Sequence, residues 1–199
     1  RSGSRPDIKG ITDLARSRGI LVVWDCAHAV GSIDLDFDGN GVDLAVGCTY
    51  KYGNSGPGAP AWLFVRKELQ ATLRPPIQGW FAQEDQFAMG PFFEPTDSIR
   101  RFQIASPSIL GLRSVRTAFA MIAEAGIGAI ETKASTGTEL MIRLFDEWLE
   151  PLGFRLGTPR LAKQRGGHIT IHHKDAKQIA LAMRKISKVV PDFLSLIHI

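Results

Sequence analysis

With 199 residues, 44% of them apolar and 22% charged, the chain is long enough for one sizeable core or for one domain with a smaller appendage. Its formal charge of +4 is spread along the sequence rather than gathered in a run, and no recognition motif accompanies it, which excludes the usual footprint of a nucleic-acid-binding protein. No stretch approaches the roughly 18 apolar residues of a membrane span and no signal peptide stands at the front, so a cytoplasmic protein without membrane contact is expected.

The opening Arg1-Ser2-Gly3-Ser4-Arg5-Pro6-Asp7 reads as a connection between elements, and its first residue is not Met, so an upstream part is expected. Ile8, Ile11, Leu14 and Ala15 recur at helical spacing behind Asp7, which can cap the first turn, and Gly19 supplies the stop. Ile20 to Trp24 is a continuous apolar run, read as a buried strand. Apolar runs at Leu44 to Cys48 and Ala61 to Val65 follow through Gly-rich connections, and continuous rather than alternating apolarity suits strands covered on both faces. The expected class is α/β, with a mostly parallel sheet flanked by helices. The two cysteines, Cys26 and Cys48, lie in apolar stretches at no metal or disulfide spacing and read as buried free thiols.

From Ser106 the period lengthens. Ile109, Leu112, Val115, Ala118, Phe119 and Ile122 mark one long helix, with Pro107 tolerated near its first turn. A further helix is expected over Thr132 to Leu149, softened at Gly137. Beyond Pro151-Leu152-Gly153, a strand over His168 to His172 and a helix over Asp175 to Ser187 predict part of a small α+β domain. The domain expectation is therefore 1–130 for a partial large domain and 131–199 for a partial C-terminal one. Leu194 to Ile199 forms an apolar tail with nothing downstream to cover it, and reads as non-native sequence.

The chemistry is concentrated between Val22 and Pro60. Val22-Val23-Trp24-Asp25-Cys26-Ala27-His28 ends one apolar run in polar residues, and Asp43-Leu44-Ala45-Val46-Gly47-Cys48-Thr49-Tyr50-Lys51-Tyr52 ends the next. Ligands of open parallel sheets sit at the carboxyl ends of strands, so Asp25, His28, Tyr50 and Lys51 are expected to converge on one crevice. A carboxylate, an imidazole, a phenol and an amine suit a pyridine cofactor that carries an aldehyde, a phenol oxygen and a phosphate. An Asp beside the pyridine nitrogen keeps it protonated, and a Lys can condense with the aldehyde.

The run from Asp25 through His28 to Tyr50-Lys51, followed by Gly53-Asn54-Ser55-Gly56-Pro57-Gly58-Ala59-Pro60, resembles the kynureninases, which share the aspartate-aminotransferase-type fold (fold type I) with cysteine desulfurases and class V aminotransferases. Desulfurases tend to carry Ser-x-His-Lys at the lysine, whereas this chain has Cys-Thr-Tyr-Lys. The resemblance implies pyridoxal 5'-phosphate as cofactor, with Lys51 as its Schiff-base lysine, Asp25 as partner of the ring nitrogen and His28 near the phenolic oxygen. Tyr50 matches a phosphate-binding tyrosine. Trp80, in Gln78-Gly79-Trp80, matches a tryptophan that reaches the phosphate of a neighbouring subunit, and Ser106 takes the place of an Asn or Thr with the same duty. It also implies a homodimer with shared sites and a small amino-acid substrate: L-kynurenine or its 3-hydroxy form, cleaved by water to alanine and an anthranilate. The main phosphate loop, the ring-stacking aromatic and the arginine for the substrate carboxylate are expected outside this chain, so weak cofactor binding and little turnover are expected of these 199 residues alone.

Each residue also has a plainer role. Asp25 alone reads as a turn or cap residue, His28 as a structural histidine, and Trp80 as core. His168, His172 and His173 lack Cys or acidic ligands at metal spacing and read as structural or solvated. Gly56-Pro57-Gly58 lacks the Lys-Ser/Thr ending of a phosphate-cradling P-loop and reads as a shaped turn. Rival functions are another enzyme on the same fold, such as a cysteine desulfurase or class V aminotransferase, and an inactive incomplete chain. A desulfurase would need a loop cysteine downstream of the lysine, and none follows Cys48.

Overall fold

The computed structural model describes residues 2–193, so the expectation for Leu194 to Ile199 lies outside the described residues. Two units are present: Pro6–Thr132, and residues 2–5 together with the described residues from Lys133 on.

In the first unit, the Asp7 carboxylate accepts from the Gly10 N–H at 2.9 Å and starts helix α1 (Ile8–Arg16). Gly19 then turns the chain with a φ of +68°, a conformation that costs a residue with a Cβ. Strand β1 (Val23–Asp25) pairs parallel with β2 (Leu44–Gly47), Val23 opposite Leu44 and Asp25 opposite Val46. Strand β3 (Trp62–Val65) pairs antiparallel with β2, so the parallel character expected for the sheet belongs to β1 and β2. The connection from Cys48 to Ala61 contains no helix to carry the chain back over the sheet, and without such a crossover the next strand can only return.

Cys26, Val42 and Ala45 form the buried centre, with Ile8, Trp24, Ala29, Leu35, Phe37, Trp62 and Phe64 packed on it. Phe37 lies 4.9 Å from Phe64 and 5.9 Å from Trp62, ring centre to ring centre. The strand over Ile20 to Trp24 is less covered than its composition predicts: β1 is an edge strand, and Ile20, Leu21 and Val23 stand exposed. Buried Asp43, just before β2, takes Arg16 and Arg66 at 3.0 Å each and so ties α1 and β3 to the start of the central strand.

Helix α2 (Lys67–Gln70) is followed by a long irregular stretch held by two 3-10 turns, Trp80–Ala82 and Ile99–Phe102. Arg101 is its fastener. Buried to 7% exposure, its guanidinium donates to the carbonyls of Thr96 at 3.0 Å, Gln70 at 2.9 Å, Leu73 at 3.2 Å and Ala71, and pairs with Asp97. Ser108 caps α3 (Ile109–Ala125), which places Pro107 just before the first turn, near it as expected. Gly126, with φ of +80°, separates α3 from α4 (Ile127–Leu144). Helix α4 thus begins before Thr132 and passes through Gly137 without a break; the real interruption is Gly126, where the backbone is left-handed.

In the second unit, a π-helical turn (Phe145–Leu149) extends α4, and Phe145 is buried. Strands β4 (Arg155–Leu156) and β5 (Ile171–His172) pair antiparallel, and α5 (Ala176–Ala182) follows Asp175. Residues 2–5 belong here rather than to the sheet: Arg5 N–H donates to Gln164, Gly166 N–H to Gly3, and Thr158 Oγ1 to Ser2. Buried Arg165 donates to Thr138 Oγ1 and Glu139 Oε2 at 2.9 Å each, and to the Arg160 carbonyl. The histidines have packing roles. His173 lies 4.3 Å from Phe154, ring centre to ring centre, and its Nδ1 accepts from Asp175 N–H; His172 packs on Gly157 and His168 on Gly3.

Candidate active site

Because β1 and β2 run parallel, their carboxyl ends lie side by side, and the segments that leave them carry the polar residues singled out above. Asp25 is the last residue of β1. Its Oδ1 accepts from Ala27 N–H at 2.9 Å, the turn role a lone Asp would have, and this leaves Oδ2 for a ligand. That turn swings His28 toward the segment after β2, where Lys51 Nζ lies 3.1 Å from His28 Nε2. The Tyr50 ring, about half exposed, stands beside the same amine, with Nζ 5.8 Å from its centre.

Two close backbone approaches make this convergence possible, and no local sequence pattern announced them. Gly31, with φ of +79°, sits so near the Tyr52 carbonyl that a Cβ would lie 2.6 Å from its oxygen. Gly53 is as tight, with a Cβ position 2.5 Å from the Thr49 oxygen and 2.9 Å from the Phe119 ring. Gly31→Ala combines left-handed strain with a collision against backbone, so a loss of about 2–4 kcal/mol in denaturant unfolding is expected. Gly56 and Gly58, both left-handed, shape the turn expected after the lysine.

Trp80 and Ser106 form a second grouping. A Cβ on Gly79 would lie 1.9 Å from the Ile104 oxygen, so the backbone before Trp80 abuts the irregular segment that leads to Ser106. Both side chains are exposed. The ring contacts of Trp80 are with Phe81 at 4.6 Å and Phe87 at 6.2 Å, which makes it part of an aromatic group on an irregular stretch rather than core. The structure therefore brings Asp25, His28, Tyr50 and Lys51 together, and Trp80 with the Ser106 segment, as two groupings.

Of the two free cysteines, Cys26 is buried and Cys48 is half-buried, its Sγ 3.6 Å from the Ala27 carbonyl. Burial, reinforced by the Asp25 charge, pushes the Cys26 thiol up from 9.0 to about 11. The folded chain thus holds this proton to higher pH than the unfolded one, and the thiol's contribution to stability is lost as pH rises from 9.0 toward about 11. At pH 8 only about a thousandth of Cys26 is thiolate, so alkylation followed by mass spectrometry should find it nearly unmodified in the native protein and fully modified after unfolding.

An aldehyde-bearing pyridine phosphate calls for an amine, a carboxylate and hydrogen-bond donors. Asp25 at the end of β1 and Lys51 in the segment that follows β2 would supply the first two, with Tyr50 as a nearby donor, so the residues present fit such a group.

Residues 1–186 match the model of the class-V aminotransferase family. The chain belongs to this family. The kynureninase of Deinococcus radiodurans is 34% identical to it over 193 residues, which covers 97% of this chain and 47% of that protein. That of Geobacillus thermodenitrificans is 36% identical over 195 residues, covering 97% and 45%. The chain spans about half the length of the curated relatives it matches. Among solved structures, the apo cysteine desulfurase of Thermococcus onnurineus NA1 superposes with a TM-score of 0.74 at 22% identity, over 92% of this chain and 44% of that one. That likeness is one of fold: the α/β arrangement is the type I fold of pyridoxal-phosphate enzymes.

Proposed function

We propose that this chain carries the cofactor-lysine region of a kynureninase, a homodimeric enzyme that hydrolyses L-kynurenine, or its 3-hydroxy form, to L-alanine and the corresponding anthranilate. The observation that carries the reading is the 3.1 Å approach of Lys51 Nζ to His28 Nε2 beside Asp25, in a family member similar to two kynureninases along nearly its whole length. The cofactor is pyridoxal 5'-phosphate, which when bound supplies an electron sink for charge that develops on the substrate's α-carbon.

The protein's own residues do the rest. Lys51 supplies the amine that meets the aldehyde, and in turnover takes the proton from the α-carbon, with His28 in reach to receive or return it. Asp25 Oδ2 would hold the proton on the ring nitrogen, which keeps the ring electron-poor. Tyr50, Trp80 and Ser106 would donate to the phosphate, the last two serving the opposite subunit of the dimer. One water is consumed as the carbon–carbon bond to the aryl ketone breaks, so its oxygen ends in the anthranilate carboxylate. A cytoplasmic location goes with this reading; among the described residues no helix is long and apolar enough to cross a membrane.

A full-length protein that contains this chain, supplied with pyridoxal phosphate, should release anthranilate and alanine from kynurenine in equal amounts, and should release no sulfur from cysteine. Sulfur release without kynurenine cleavage would transfer the chain to the desulfurase branch of the same fold.

A further inference from the structure

The Lys51 amine sits on a segment without regular secondary structure. After β2 the chain runs from Cys48 to Ala61 without helix or strand, through left-handed Asn54, Gly56 and Gly58. One side chain in it is both buried and bonded across the loop. Thr49 is 3% exposed, and its hydroxyl donates to the Pro60 carbonyl at 2.7 Å, joining the two ends of the segment. Its own carbonyl accepts from Ser55 N–H at 3.1 Å, and inside that ring Asn54 N–H donates to the Lys51 carbonyl at 3.0 Å. Lys51 is thus enclosed in a loop closed twice at Thr49.

We propose that Thr49 is a positioning residue for Lys51: its hydroxyl bond to Pro60 fixes the loop that aims the amine at His28 and the cofactor aldehyde. The proposal rests on the reading of Lys51 as the cofactor lysine. A valine in this place keeps the volume and removes the donor that the Pro60 carbonyl accepts from. A serine keeps the donor and loses a methyl group.

The test compares wild type, Thr49→Val and Thr49→Ser in the full chain, titrated with pyridoxal phosphate while the visible band of the lysine linkage and its pH midpoint are followed, well below each variant's unfolding temperature. Thr49→Val should weaken cofactor binding about tenfold and move the pH midpoint, and Thr49→Ser should restore both to within about twofold. Wild-type affinity and midpoint in Thr49→Val would overturn the proposal, as would a Thr49→Ser protein as impaired as Thr49→Val. Should Thr49→Val not fold, hydrogen exchange in the wild type decides. Added pyridoxal phosphate should slow exchange of the Ser55 amide about tenfold if the closed loop is coupled to Lys51, and an unchanged rate overturns the coupling. Borohydride trapping on the wild type separates the two levels: a label on a residue other than Lys51 removes the underlying reading, whereas a label on Lys51 with an indifferent Thr49→Val removes the positioning role alone.

Discussion

Lys51→Ala, in a full-length protein that contains this chain, should abolish covalent attachment of pyridoxal phosphate and lower kcat for kynurenine cleavage by roughly a thousandfold or more, because on the proposed reading one amine both meets the aldehyde and moves the α-proton. The loss should be chemical rather than structural. Lys51 Nζ contacts His28 and the face of an exposed Tyr50, and anchors no buried group, so denaturant unfolding should shift by no more than about 0.5 kcal/mol. A comparison of trapping, turnover and unfolding on the same protein separates these outcomes. If the variant retains wild-type trapping, the amine used is another one.

The second large effect lies away from the chemistry. Arg101→Ala should cost about 3–5 kcal/mol, since it strips a buried guanidinium from four backbone carbonyls and from Asp97 at once. Those carbonyls belong to the end of α2 and to the segment before the second 3-10 turn, so the whole stretch from Gln70 to Phe102 should loosen. Arg101→Lys should recover little, because an ammonium cannot reach carbonyls spread around a planar fork. Urea unfolding measures the loss. Hydrogen exchange should locate it in this stretch, with β1 to β3 retaining their protection.

Periodicity in the sequence located α1, α3 and all three strands of the sheet, and the capping roles of Asp7 and Gly19 were legible because each acts within a few residues. Strand direction was less so. Continuous apolarity reports burial and not orientation, and Trp62 to Val65 reads alike whichever way it runs. Exposure of Ile20, Leu21 and Val23 depends on which elements neighbour β1, information that lies outside the run itself.

The candidate site divides along the same line. Asp25, His28 and Lys51 were readable from spacing after apolar runs, since parallel strands must end together. The groups that hold them in place were not: Gly31 and Gly53 matter through approaches to backbone distant in sequence, and Thr49 looks like any strand-end threonine until Pro60 is found across the loop. Arg101 and Arg165 gave no sequence signal either, because a buried arginine is recognisable only by the carbonyls and side chains around it.

Peptide mapping after borohydride reduction in the presence of pyridoxal phosphate tests the central claim most directly. One pyridoxyl adduct is expected, on the peptide that contains Lys51. An adduct on a different lysine, with Lys51 recovered unmodified, would contradict it.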